Sequence, residues 1–157
     1  MIVLTTSAGH PLDLTFYQGV KGIAAAAPIL KPGGTILVAH ECAEGIGEPD
    51  LVRRIMETED LEAYQPRVWD PTYFHMDQWH AQFAKIRRRA SEVLNFSEGI
   101  PRDQQARCFV TPIASVEGGV ERALGKHGPD ATIAVLPEGP YVLACLEGDR
   151  IDRQEFP

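Results

Sequence analysis

At 157 residues the chain is long enough to bury about 68–70% of the surface that its unfolded form exposes, so a single domain with its own core is expected and no disulfide or metal staple is needed. Hydrophobic residues at 44% and charged residues at 24% argue against global disorder. A formal charge of −7 argues against nucleic acid or an anionic membrane surface as the main partner, because either selects a basic face.

Ile2 to Thr5 reads as a buried strand, and Ser7-Ala8-Gly9-His10-Pro11 as the turn that follows it. Phe16, Val20, Ile23 and Ala27 then recur at helical spacing. Pro28 stops or kinks that helix, and Pro32-Gly33-Gly34 ends the segment. Thr35 to Ala39 forms a second buried strand, so the opening is a βαβ unit with parallel strands. Gly45-Ile46-Gly47 marks a loop, and Pro49 to about Thr58 a helix. Residues 59–73 are irregular and contain proline, and no regular element is assigned to them. Asp77 suits the N-cap of a helix whose buried stripe is Trp79, Phe83, Ile86 and Ala90. Glu92 to Phe96 and Arg107 to Thr111 read as strands, Ser115 to Leu124 as a helix capped by Ser115, and Gly125 to Pro129 as a break. Ala131 to Leu136 and Tyr141 to Leu146 complete the strands. The alternation predicts one α/β domain over 1–146, an open, mostly parallel sheet with helices on both faces in a Rossmann-like three-layer arrangement, followed by a polar tail at 147–157.

Cys42, Cys108 and Cys145 are odd in number and lack CxxC spacing, which fits reduced thiols serving as small core residues. Met1 leads straight into a strand, with no signal-peptide pattern and no run of membrane-spanning length, so a cytoplasmic location is expected. A chain that opens in a strand also suits a piece of something longer.

The first helix carries the clearest functional signal. With the Phe16, Val20, Ile23 and Ala27 stripe facing the sheet, Gln18, Lys21 and Ala25 fall on the opposite side, flanked by Gly22. Gln18 and Lys21 are i,i+3 neighbours whose polar ends can converge on one small ligand. Gly19 and Gly22 each cost about 0.8–1 kcal/mol relative to alanine in a helix. Close approach by another backbone or a ligand is the usual reason for such residues. The alternative is a poorly optimised surface helix with an incidental lysine. The position of the group, after a turn at the carboxyl end of a strand, favours a site.

Ser7-Ala8-Gly9-His10-Pro11-Leu12-Asp13, then Tyr17-Gln18-Gly19-Val20-Lys21-Gly22, then Lys31-Pro32-Gly33-Gly34-Thr35-Ile36 resemble the C-terminal domain of the nickel-dependent lactate racemase family. Glu41-Cys42 with Gly45 and Gly47, and later Asp77-Gln78-Trp79, look like the same domain continued. The resemblance covers most of this chain but only about the last third of a full-length family member. It implies a nickel-pincer nucleotide that takes a hydride from a 2-hydroxy acid and returns it to either face of the planar 2-keto acid. The resemblance places that cofactor, its attachment lysine, its nickel ligand and the acid/base histidines on an N-terminal domain, in cis or as a separate chain. No metal ligand is assigned here. By motif match, Gln18 and Lys21 are the catalytic and substrate-binding arms. Trp79 is either a pocket-lining residue or a core aromatic, and the turn Gly9-His10-Pro11 bears on which hydroxy acid fits.

His10, His40, Cys42, His75, His80 and His127 show no metal-site spacing. His40 and Cys42 follow the second strand: a satisfied structural pair is the simpler reading, a role near the ligand the other. Lys85, Arg87, Arg88 and Arg89 read as a solvated helix face, with too few cations for tight phosphate binding. Neither GxGxxG nor a P-loop is present. Besides a racemase domain incomplete by itself, the sequence leaves open a stand-alone binding or interaction module of the same fold. A small α/β enzyme with another cofactor has no motif to support it.

Overall fold

The computed structural model describes residues 1–73 and 82–146. Five strands, β1 (Ile2–Thr6), β2 (Gly34–Ala39), β3 (Ala90–Phe96), β4 (Thr111–Pro112) and β5 (Ile133–Leu136), form one sheet in the order β4-β3-β2-β1-β5. Every pairing is parallel. The helices are α1 (Phe16–Ala26), α2 (Pro49–Glu57), α3 (Leu61–Val68), α4 (Gln82–Arg89), α5 (Arg102–Arg107) and α6 (Val116–His127).

Parallel strands buried on both sides read as continuous apolar runs, and β2 does so from Ile36 to Val38. Its side chains alternate between two cores. Ile36 and Val38 join Val3 and Val93 beneath α1, whereas Leu37 joins Ile2 and Leu94 beneath α6 and its Ala123. The expected open α/β sheet with helices on both faces is therefore found. Thr15 caps α1 and Ser115 caps α6, each side chain accepting a bond from the backbone of the first turn.

Several elements differ from the sequence expectation. Residues 59–73 contain α3, capped by Asp60, whose side chain accepts from the Glu62 backbone N–H at 2.9 Å. Pro66 inside it masked the helical pattern. A strand expected over 107–111 is instead the end of α5 and a turn. Cys108 and Val110 are buried by that turn, and only Thr111–Pro112 pairs with β3. Ala90 belongs to β3 rather than to the preceding helix, and α6 continues through Gly125 to His127. No strand forms over 141–146. Tyr141 ends a 3-10 turn, Gly139–Tyr141, and Cys145 is exposed rather than in the core. His75, Asp77, Gln78, Trp79, His80 and the tail 147–157 lie outside the described residues.

The basic end of α4 is partly consumed by packing. Arg88 pairs with Glu62, and Arg89 donates to the carbonyls of Leu30 and Pro28. Among the described residues no helix is long and apolar enough to cross a membrane.

Candidate functional site

β1 has β2 on one side and β5 on the other, so the winding of the sheet reverses at β1. In open α/β sheets the crevice beyond the carboxyl ends of the strands at such a reversal is where ligands bind. The segment leaving β1 there is a tight turn with Ala8 at φ 65° and Gly9 at φ 72°. The Gly9 carbonyl accepts from Leu12 N at 2.9 Å and Asp13 N at 3.2 Å. His10 and Pro11 are exposed on its outside, joined by a cis peptide bond.

The chain then runs beside the loop after β2. Cys42 N donates to Asp13 O, Glu44 N to Leu14 O, Phe16 N to Gly45 O and Tyr17 N to Ile46 O, all between 2.7 and 3.0 Å. The last two bonds occupy the first N–H groups of α1. This helix start is thus already satisfied by protein rather than left open for an anion.

Gln18 is half-buried and Lys21 exposed, and Lys21 Nζ donates to Gln18 Oε1 at 2.5 Å. The two polar arms expected from the sequence are brought together on one side of α1. Of the two reasons expected for the small residues, close approach by another backbone is the one found at Gly22, which is buried rather than flanking the polar arms. Gly19 and Gly22 are buried and face inward. A Cβ at Gly22 would lie 2.3 Å from the carbonyl oxygen of Thr6. From the loop after β5, a Cβ at Gly139 would meet Thr5 Oγ1 at 2.5 Å and Gly22 Cα at 2.9 Å. The glycines let α1, the end of β1 and the loop after β5 close on one another within the domain.

Under α1 lies a group of polar side chains that the sequence did not single out as a set. Ser7 Oγ is 3.1 Å from His40 Nδ1, His40 Nε2 is 2.8 Å from Asn95 Oδ1, and Asn95 Nδ2 donates to Gln105 Oε1 at 3.0 Å. The pairing of Thr6 with Ala39 and of Ala39 with Phe96 brings the ends of β1, β2 and β3 level, which is why residues 7, 40 and 95 meet. Burial pushes the His40 pKa down to about 4, against smaller upward effects of the Asn95 bond and of Asp13. Burial also pushes the Cys42 thiol up to about 12, which makes it inert at neutral pH. Asp13 is buried, with Oδ2 accepting from Glu41 N at 3.4 Å and Oδ1 without a hydrogen-bond partner among the described residues. His127 is remote from this edge and contacts Thr35 Oγ1 at 2.8 Å, near the amino end of β2.

Residues 1–144 match the family model of the lactate racemase C-terminal domain. The lactate racemase of Thermoanaerobacterium thermosaccharolyticum is 30% identical over 146 residues, and that of Lactiplantibacillus plantarum 28% identical over 145 residues. Each comparison covers 90% of this chain and 34% of the relative, so the chain spans about a third of the length of the relatives that it matches. The structure of the lactate racemase apoprotein from Thermoanaerobacterium thermosaccharolyticum superposes with a TM-score of 0.80 at 30% identity, again over 90% of this chain and 34% of that one. With sequence and fold in agreement over nearly its whole length, the chain belongs to the lactate racemase C-terminal domain family.

Proposed function

We propose that this chain is the substrate-positioning domain of a racemase or epimerase of small 2-hydroxy acids, with Lys21 and Gln18 as its substrate arms. The observation that carries the proposal is their convergence on the exposed side of α1, in the helix that leaves the reversal point of the sheet. An ammonium has three N–H groups. One is spent on Gln18, and the others suit a substrate carboxylate or a developing oxyanion. The Gln18 amide N–H suits the hydroxyl or keto oxygen beside it. Held by its carboxylate, the substrate keeps its α-carbon in one place while the configuration there is inverted.

The nickel-pincer nucleotide expected of a complete enzyme does not fit the described residues of this chain. No three His, Cys, Asp or Glu side chains converge among them. Both nitrogens of His40 are engaged within the protein, and the Cys42 thiol holds its proton. The cofactor and the hydride chemistry belong in this reading to an N-terminal domain, in cis or as a separate chain, and no step of them falls to these residues. By the family resemblance, substrate binding is also proposed for Trp79, which lies outside the described residues, and a part in the choice of hydroxy acid for the Gly9-His10-Pro11 turn.

The test mixes the chain with the nickel-loaded N-terminal two-thirds of a family member and follows the interconversion of D- and L-lactate and other 2-hydroxy acids by chiral chromatography. Complementation is expected. Lys21→Ala should remove a charge-assisted bond worth about 1.5–3 kcal/mol, or roughly ten- to hundredfold in turnover. Unchanged kinetics in that variant would remove Lys21 from the site. A folded chain that neither binds nor complements the N-terminal part, and whose Gln18 and Lys21 NMR signals ignore added lactate, would instead be a stand-alone module of the same fold.

A further inference from the structure

Ser7, His40, Asn95 and Gln105 are all buried, and the direction of each hydrogen bond among them is set from the far end. Backbone carbonyls only accept, so Gln105 Nε2 donates to Ser97 O at 3.0 Å and to Ile100 O at 2.7 Å. Gln105 Oε1 then accepts from Asn95 Nδ2, which turns Asn95 Oδ1 toward His40 Nε2. An amide oxygen cannot donate, so Nε2 carries the ring proton. In the neutral ring Nδ1 is an acceptor and the Ser7 hydroxyl is its donor at 3.1 Å, sharing its single proton with the Gly19 carbonyl of α1 at 3.3 Å. The imidazole is held at both nitrogens by groups that are themselves tied to the backbone.

That ring is the surface on which α1 rests. A Cβ at Gly19 would lie 2.1 Å from His40 Nδ1 and 2.6 Å from Cε1. The Phe16 ring meets the imidazole edge-on, with centroids 5.8 Å apart and planes at 65°. Phe16 and Gly19 are i,i+3 neighbours on the buried face, and Gln18 and Lys21 leave the same stretch of helix. The place of the imidazole therefore sets how deeply the start of α1 sits against the sheet and how it is rotated.

We infer that His40 is a positioning residue: a neutral imidazole, clamped by Ser7 and Asn95, that seats the first turns of α1 and so aims Gln18 and Lys21. The catalytic consequence rests on the reading of those two residues as substrate arms, whereas the seating itself does not. Burial favours the neutral ring that the clamp requires.

Two variants test it. His40→Gln keeps an N–H able to reach Asn95 but loses the ring, and Ser7→Ala removes one hydroxyl and keeps the ring. Leu124→Ala, on the opposite face of the sheet, serves as the destabilised control. Folding is checked by thermal unfolding, and the readout is the NMR shifts of the Gln18 side-chain amide and the Lys21 Cε group. Both signals should move in the two network variants and stay in place in the control. In the complemented enzyme, turnover should fall about ten- to hundredfold, as expected when a group is slightly misplaced. KM should change less than about threefold, because the Lys21 ammonium is still present to meet a carboxylate. Should His40→Gln fail to fold, Ser7→Ala reads the seat as a whole, since the Ser7 hydroxyl reaches both His40 Nδ1 and the Gly19 carbonyl of α1. Unmoved Gln18 and Lys21 signals in a folded network variant overturn the inference, whatever the racemase assay gives. Signals that move in the variants but never respond to lactate in the wild type leave the seating in place and overturn the substrate reading.

Discussion

The Cβ position of Gly19 lies 2.1 Å from Nδ1 of His40, nearer than any real side-chain atom can come. Alanine is favoured over glycine in a helix by about 0.8–1 kcal/mol. That gain is opposed by an overlap with a buried ring that is bonded at both nitrogens and so has little room to give. Overpacking of this kind costs about 1–3 kcal/mol. Gly19→Ala is therefore expected to lower stability in a urea titration, and a midpoint at or above that of the wild type would show that the ring can move aside.

The opposite sign is expected at Gly125. It lies within α6, is exposed, and has nothing within 4 Å of its would-be Cβ. Here only the helix preference acts, and Gly125→Ala should raise stability by about 0.5–1 kcal/mol. A loss at this position would mean that residue 125 makes a contact that its open surroundings do not reveal.

Much of the fold was legible because each element's local chemistry agrees with its tertiary place. The buried runs of β1 and β2, the stripe of α1, the proline that opens α2 and the serine cap of α6 each carry their own signal. Where the reading failed, burial came from packing that periodicity does not encode. Cys108 and Val110 are covered in a turn, and α3 is a helix in spite of Pro66. The convergence of Gln18 and Lys21 is legible because i,i+3 spacing is a local property. The His40 network was not found as a set, since Ser7, His40, Asn95 and Gln105 are brought together only by the registers of three strands and the return of α5. The cost of glycine in a helix points to a close approach at α1, and the groups that approach are β1 and a histidine of the same domain.

Across the sheet from α1, Glu92 is nearly buried and pairs with Arg122 of α6, whose Nε lies 3.3 Å from Glu92 Oε2. Removing the arginine leaves a poorly hydrated carboxylate without its partner, a loss of about 1–3 kcal/mol. By contrast Arg53 and Asp50 are both well exposed, so that pair is screened by water. Arg122→Ala should lower the thermal midpoint clearly, while Arg53→Ala should leave it within the error of the measurement. Equal effects from the two would show that the burial of Glu92 does not govern its pairing.

Stability should also fall as the pH is lowered from about 6.5 to about 4, and His40 supplies the main reason. Its ordinary pKa is 6.5 and in the folded chain it lies at about 4, so between those values the unfolded chain binds a proton that the folded chain refuses. Stability rises with pH wherever the unfolded state binds more protons, and here the whole interval is worth on the order of 3 kcal/mol. His127, also lowered by burial first and then by the positive chain terminus and Lys126, adds a contribution of the same sign. Glu62, lowered by its bond to Arg88, acts in a different window: its stabilisation is complete above 4.5 and is lost as the pH falls through its depressed pKa. Denaturant unfolding between pH 4.5 and 6.5 therefore reports the histidines. His40→Gln should flatten most of that slope and leave the remainder due to His127. An unchanged slope in the variant would mean that His40 takes up its proton in the folded chain as readily as in the unfolded one, and that the ring is not the neutral, doubly held group on which α1 rests.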